Sequence, residues 1–399
     1  MRLFNTQSGT VEPVQIGADP LGMYVCGVTP YDTTHAGHAF TFLTFDIITR
    51  YLRFMGVDVT YVQNVTDIDD DILRKAGELG ISWLELGERE TAKYRKDMRD
   101  LNALDPDHYV KATEHTPEMI ELIAALLEKG LAYVSDGSVY FSIARDTDFG
   151  KLSKIPRAEM LVVANERGNI PDDPKKIDPL DFVLWQAATP GEPTWPSPWS
   201  DGRPGWHIEC SAMATRYLGP SIDIHGGGSD LVFPHHECEI AQTENATGIE
   251  PFSKHWVHVG MVEYQGEKMS KSLGNLVLVA DVLQSYSADT FRLYSFSHHY
   301  REPWEYIDDE IDSWARQAQD LAEAIALPTN GFGDYLDVGP LRERFINAIE
   351  DDLDTGAAIQ SLTEIGREIL EAEDTDDVAD AQQTLSALAS VLGLSLGHS

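Results

Sequence analysis

Two short runs carry residue types that handle phosphate. His35-Ala36-Gly37-His38 offers two imidazoles, and Lys268-Met269-Ser270-Lys271-Ser272, about 230 residues later, offers two ammonium groups flanked by hydroxyls. The N–H groups of His35 and His38 can donate to a triphosphate, while Lys268 and Lys271 offset charge as pyrophosphate leaves. Both runs in one chain predict phosphate-transfer chemistry with these four residues as its catalytic groups. A second set has the character of metal ligands. Cys26 closes an apolar run, Cys210 lies in Gly205-Trp206-His207-Ile208-Glu209-Cys210, and Pro234-His235-His236-Glu237-Cys238-Glu239 places His235 and Glu239 at i,i+4 on one helical face. Two thiolates, one imidazole and one carboxylate fill a tetrahedral zinc shell. Cys238 competes with Glu239 for the fourth place, and a buried free thiol is its other role.

These groups need a frame that brings distant segments together. Met23–Gly27 reads as a strand, Thr41–Met55 as a helix and Val57–Gln63 as a second strand with alternating β-branched residues. That βαβ unit belongs to a parallel sheet, whose strands end where ligands bind. The junction ahead of the helix aims backbone N–H groups and the positive end of a helix dipole at phosphate. A long helical stretch runs from about Ile68 to Leu104. From about Asp105 to Pro198 the chain looks inserted, with a helix at Pro117–Lys129, a strand pair around Ala132–Ile143 and a Pro/Gly/Asp-rich stretch from Gly168 to Pro198. The parallel pattern resumes near Trp206 and runs through Lys254–Val262; after Asp281 the chain is mostly helical, with acidic cap-like breaks at Asp351–Thr355 and Asp374–Asp377. The expected architecture is α/β: a Rossmann nucleotide-binding fold in two halves (1–104 and 200–281), a connective insertion (105–199) and a C-terminal helical region (282–399).

Composition narrows the class. A chain of 399 residues holds two or three domains. No apolar stretch approaches the ~20 residues that span a bilayer, and Met1–Gln7 has no signal-peptide core, so the expectation is a cytoplasmic protein without a membrane partner. Cys26, Cys210 and Cys238 are too few and too scattered for a disulfide framework; reduced thiols or metal ligation are the better readings. Thirty basic against 66 acidic residues give a net charge of −36, which repels polyanions over most of the surface. A basic stripe within that acidic whole, or adaptation to a saline cytoplasm, remain open alternatives.

Taken as a set, the motifs resemble the cysteine-activating class I ligases, which comprise cysteinyl-tRNA synthetase and a shorter mycothiol-pathway ligase that joins cysteine to glucosaminyl-inositol. The similarity runs through most of the first 310 residues: Tyr24–Gly27, His35–His38, Tyr61–Asp67, Asp178–Asp181, Gly205–Cys210, Gly226–Asp230, Phe233–Glu237 and the Lys268 loop. The resemblance implies a class I synthetase-type fold, ATP with Mg²⁺ as substrate, cysteinyl-adenylate as intermediate, and zinc on Cys26, Cys210, His235 and Glu239. It also implies that Gly27, Thr29, Thr41, Asn64, Thr66, Trp206, Gly228, Ser229, Asp230 and Met261 line the adenylate site. A zinc ion would take the substrate thiol as thiolate at an exchangeable position, a discrimination that one methylene of pocket shape could not supply.

The acceptor divides the two subfamilies. The synthetase resemblance implies a helical bundle followed by a small basic anticodon-binding domain, whereas this chain stops soon after Leu385–Leu396, and from Gly331 to Ser399 it has 15 Asp/Glu against three Arg. Cys26–Asp32, Phe42–Asp46, Glu159–Leu161 with Asn165–Gly168, and Gly228–Leu231 look like the mycothiol ligase, and Phe40 stands where the synthetase pattern usually has Arg. Cys238–Gln242 and Asp181–Trp185 look like the synthetase, and Glu239 as fourth ligand departs from the mycothiol-ligase pattern. The expected acceptor is therefore a small amine, glucosaminyl-inositol, with tRNA as the alternative and a monomer as the expected state.

Overall fold

The first apolar run becomes the middle of a parallel sheet. In the computed structural model, which describes residues 1–17, 19–31, 34–269, 274–329, 334–372 and 376–397, strand β1 (Leu21–Val28) is buried along nearly its whole length. A strand covered on both faces requires such a sequence. Helix α1 (Ala36–Phe54) leads to β2 (Val59–Val65), and α2 (Asp70–Leu79) and α3 (Trp83–Asp100) lead to β3 (His108–Lys111). The single helical stretch expected from Ile68 to Leu104 is thus two helices. Gly80 takes φ +68° and ends α2, a conformation that favours glycine, and Ser82 Oγ accepts from Glu85 N at 3.1 Å to start α3. Strand β3 pairs in parallel with β2, from Val62 opposite His108 to Val65 opposite Lys111. The segment expected to open the insertion therefore first adds a fifth strand to the sheet.

The inserted region has its own layer: α4 (Thr116–Glu128), then strands β4 (Ala132–Ser135) and β5 (Ser138–Phe141), helix α5 (Arg157–Glu166), and strands β6 (Phe182–Ala187) and β7 (Gly202–Pro204). The four strands form an antiparallel sheet in sequential order. Strand β6 follows a stretch rich in turn residues, yet buries Leu184 and Trp185 completely.

The parallel fold resumes with α6 (Trp206–Leu218), β8 (Ile222–Gly228), α7 (Glu237–Thr247) and β9 (Ser253–Val259). The main sheet has the order β9-β8-β1-β2-β3, all parallel. From β1 the chain proceeds outward to β2, whereas from β8 it proceeds the other way to β9. The boundary between β1 and β8 is a topological switch point, and the crevice at its carboxyl edge is where such sheets bind ligands. A hairpin of β10 (Val262–Tyr264) and β11 (Glu267–Lys268) follows; Asn275 Nδ2 ties it together by donating to Tyr264 O at 3.0 Å and Lys268 O at 3.3 Å.

Helix α8 (Ala288–Phe296), strand β12 (Trp304–Glu305), which pairs in parallel with β10, and the helices α9 (Ile311–Ala326), α10 (Gly339–Glu350), α11 (Thr355–Glu371) and α12 (Ala379–Val391) complete the chain. The first acidic break does cap a helix: Asp354 Oδ1 accepts from Ala357 N at 2.9 Å. The second, Asp374–Asp377, lies partly outside the described residues. The bundle docks through a buried guanidinium. Arg292 of α8 donates to the carbonyls of Leu101 (2.6 Å), Leu392 (2.8 Å) and Asn102 (2.9 Å), and to Asp46 Oδ2 of α1 at 2.7 Å. Gly393 follows with φ +70°, where any Cβ would overlap that guanidinium. Among the described residues no helix is long and apolar enough to cross a membrane.

Candidate metal cluster and nucleotide crevice

Alternation along β1 decides which residues meet. Met23 and Val25 enter the core under α1 and the bundle, whereas Tyr24 and Cys26 enter the core shared with α6, α7 and the insertion. Helix α6 brings Cys210 to that face, and the segment before α7 brings His235. Among the described residues, Cys26, Cys210, His235 and Glu239 each place one ligand atom within 4.8 Å of the others, and all four are buried. Cys26 Sγ lies 3.4 Å and His235 Nε2 3.1 Å from Glu239 Oε1. A tetrahedral ion with bonds of about 2.0–2.3 Å needs donors about 3.3–3.8 Å apart, so the set fits such an ion with little movement. Phe233 is extended (φ −138°, ψ 134°), but the chain turns helical after it and runs into α7 at Glu237, so His235 and Glu239 meet at i,i+4 as the spacing predicts. Cys238 is buried and stands outside this set.

More imidazoles surround the cluster than the sequence singled out. His225 and His236 join Cys26 and Glu239 in a second group of the same compactness. His225 Nε2 is 2.9 Å from Glu239 Oε2, His236 Nε2 is 3.3 Å from Cys26 Sγ, and His236 Nδ1 is 2.7 Å from His258 Nε2. Thr6 Oγ1 meets His258 Nδ1 at 2.7 Å, and His207 Nδ1 meets His235 Nδ1 at 2.9 Å. Burial pulls His207 and His258 down to about 3 and His235 and His236 well below the usual imidazole value. It pushes the thiols of Cys26 and Cys210 up. Burial thus favours the neutral rings of His207, His235, His236 and His258 and the protonated thiols of Cys26 and Cys210. His225 Nδ1 has no hydrogen-bond partner there.

The crevice at the switch point gathers the other candidates. Gly27 and Thr29 lie at the end of β1, Asn64 and Thr66 at the end of β2, Gly228, Ser229 and Asp230 at the end of β8, and Met261 just past β9. Gly27 N donates to Asn64 Oδ1 at 2.8 Å, and a Cβ at Gly27 would overlap the Asn64 carbonyl, so glycine is required. Thr66 N donates to Val28 O at 3.1 Å, and Thr41 Oγ1 bonds back to Gly37 O at 3.1 Å. Trp206 opens α6 and stacks on His235 with ring centroids 4.3 Å apart, joining crevice to cluster.

The first turn of α1 departs from expectation. His35 is its N-cap, and His35 Nδ1 accepts from Gly37 N (3.1 Å) and His38 N (3.4 Å). Those two amides are therefore occupied by the protein itself rather than aimed at a ligand. Accepting at Nδ1 puts the His35 proton on Nε2 and makes that nitrogen a donor. The His38 ring stacks on it at 3.8 Å. Lys268 Nζ is 3.0 Å from Asp230 Oδ2; Lys271 lies outside the described residues. Arg167, at the end of α5, donates through Nη1 to the Asp230 carbonyl, a contact that no motif in the sequence announces.

Comparison with known proteins agrees with this geometry. Residues 12–316 match the model of the tRNA synthetases class I (C) catalytic domain, and residues 344–397 match the DALR domain. A cysteine–tRNA ligase of Dehalococcoides mccartyi is 44% identical over 99% of this chain and 87% of its own length. An L-cysteine:1D-myo-inositol 2-amino-2-deoxy-alpha-D-glucopyranoside ligase of Nocardiopsis dassonvillei is 45% identical over 91% of this chain and 88% of its own. The fold is shared with Mycobacterium tuberculosis methionyl-tRNA synthetase in complex with methionyl-adenylate, at a TM-score of 0.66 and 17% identity over 94% of this chain and 89% of that one. With both of its domains matched and ligases of both subfamilies aligned along nearly its full length, the chain belongs to the cysteine-activating class I ligases and is an ATP-dependent enzyme.

Proposed function

We propose that this enzyme forms cysteinyl-adenylate from cysteine and ATP, and passes the cysteinyl group to the amine of glucosaminyl-inositol. In the first step a cysteine carboxylate oxygen attacks the α-phosphorus and the bond to pyrophosphate breaks. In the second the acceptor amine attacks the adenylate carbonyl, AMP leaves, and the amine gives up a proton. The residues at the carboxyl ends of β1, β2 and β8, with Thr41, Trp206 and Met261, would hold the adenylate. His35, His38, Lys268 and Lys271 would stabilise the phosphates, His35 through Nε2–H. Zinc would be held by Cys26, Cys210, His235 and Glu239, whose donor set and spacing suit it. Bound there, it supplies a soft coordination position that a substrate thiolate fills and a serine hydroxyl or valine methyl does not.

The charge of the helical bundle carries the choice of acceptor. Residues 311–391, which hold α9 to α12, contain four arginines, no lysine and 18 acidic residues. One of the arginines, Arg344, is already paired with Glu364 at 2.7 Å. A tRNA needs a basic track of phosphate contacts, and these helices offer it repulsion. The second reading, cysteine–tRNA ligation, is favoured by Glu239, whose carboxylate joins the cluster where the mycothiol-type pattern does not have it. Incubation with ATP, cysteine and either glucosaminyl-inositol or tRNA, with analysis of the products, decides between them. The amide of glucosaminyl-inositol is the expected product; charged tRNA with no amide would transfer the assignment to the second reading and leave adenylate formation intact.

A further inference from the structure

Asp230 holds two cations drawn from different parts of the chain. Arg167, which closes α5 in the insertion, donates to the Asp230 carbonyl and keeps the same nitrogen 3.8 Å from Asp230 Oδ2. Lys268, at the end of β11, reaches that same oxygen at 3.0 Å. The Lys268 side chain is 54% exposed and the Asp230 and Arg167 side chains 28% and 29%, so these are screened, weak contacts that can be exchanged. A Lys268 resting on Asp230 is not on phosphate. For it to move, Asp230 must give up its nearest counter-charge in a chain of net charge −36, and Arg167 already stands beside it to take that place.

We propose that Arg167 is a positioning residue of the nucleotide site: it anchors the Asp230 turn and shares its carboxylate, so that Lys268 can leave Asp230 for the phosphates when ATP binds. The insertion is thereby coupled to the phosphate chemistry through one side chain. Two cations on one carboxylate repel each other, which loosens the Lys268–Asp230 contact in the free enzyme. With Arg167 gone, Lys268 is the closer-held partner of Asp230 and is harder to withdraw. This inference rests on the phosphate role proposed for Lys268, which Lys268→Ala tests by itself.

Cysteine-dependent ATP–pyrophosphate exchange by the full chain is the assay, run at low and high KCl with thermal melts as a check on folding. Arg167→Ala is expected to lower kcat/KM for ATP about three- to fivefold, the range of an exposed ion pair. The deficit should shrink as KCl screens the Lys268–Asp230 contact, and Arg167→Lys, which keeps the charge, should recover part of it. In a Lys268→Ala background, Arg167→Ala should cost nothing further. A salt-independent loss, an equal loss in both backgrounds, or no loss at all would overturn the proposal, and the salt series on Arg167→Ala remains decisive even where Lys268→Ala leaves too little activity to measure. Unchanged exchange in Lys268→Ala alone would instead remove the phosphate role of that lysine.

Discussion

Two polar assemblies lie buried on opposite sides of the same sheet, and they differ in how completely they are paired. Around Arg292, four N–H groups meet three carbonyls and the Asp46 carboxylate, all between 2.6 and 2.9 Å. Around Glu239, two thiols and several imidazoles crowd one carboxylate, burial favours the neutral rings of His235 and His236, and His225 Nδ1 lacks a partner. A saturated network fixes structure. An undersaturated one, equally shielded from water, offers the donor set that the proposed zinc ion would use. The two should therefore fail differently when cut.

The largest effect is expected at the cluster. Cys210→Ala should abolish both bound metal and cysteine activation, because it removes one of the four proposed zinc ligands and would open the shell, whereas Cys238→Ala should do far less. Metal analysis and pyrophosphate exchange measure both; full occupancy and activity in the Cys210 variant would remove the zinc assignment. Arg292→Ala should do the reverse, costing about 1–3 kcal/mol of stability for each of the Leu101 and Leu392 carbonyls it leaves without this donor, while Arg50 keeps both Asp46 and the Asn102 carbonyl paired. Urea unfolding reads that loss. If Arg292→Ala were nearly neutral and Cys210→Ala unfolded the protein, the contrast between the two assemblies would be the wrong way round.

A smaller effect separates the cluster from the phosphate edge. His38→Ala should slow pyrophosphate exchange by about 2–4 kcal/mol of barrier, in line with losing one oxyanion donor, while cysteine binding stays close to normal. On the role proposed for His38, the loss belongs to kcat because its partner would be a phosphate whose charge is redistributed in the transition state. Equal losses in cysteine binding and in rate would place His38 in general substrate binding rather than phosphate chemistry.

What the sequence disclosed follows from how local each signal is. Cys26, Cys210, His235 and Glu239 were legible because their types are chemically special and one pair recurs at i,i+4. His225 and His258 were not, because a histidine on a strand reads as a solvent-facing residue. In a parallel sheet covered on both faces it has nowhere to go but inward, and only the strand order reveals that. The capping role of His35 Nδ1 is likewise a matter of backbone geometry, while the motif showed only an imidazole near a helix start. The break at Gly80 and Ser82 was written in residues that commonly end and begin helices, yet the continuous charged pattern on either side masked it. Strand β3 was hidden by its brevity, since His108-Tyr109-Val110-Lys111 is too short to show a period.

The smallest expected effect lies beside the crevice, where Asp69 tests whether a buried charge there has a structural cost. Asp69 Oδ1 caps α2 by accepting from Asp71 N (2.7 Å) and Ile72 N (3.0 Å), bonds that an asparagine oxygen can also accept. Burial nonetheless pushes its carboxyl up to about 6, with Asp71 and Asp70 adding to the shift. A folded-state value above the unfolded one of about 3.9 means that the proton is held more tightly in the fold. Its contribution to stability is therefore complete below about pH 3.9 and lost as pH rises through about 6. The asparagine of an Asp69→Asn variant cannot titrate, so the stability of wild type relative to that variant should fall by on the order of 1–2 kcal/mol between about pH 4.5 and 7.5, after allowance for partial exposure. Urea unfolding of the two proteins across that range provides the measurement. A flat difference, or one that grows in favour of the carboxylate at higher pH, would mean that the charged cap is better solvated than its surroundings imply, and that the cluster around Glu239, rather than the whole carboxyl edge of the sheet, is where this fold keeps unpaired polarity.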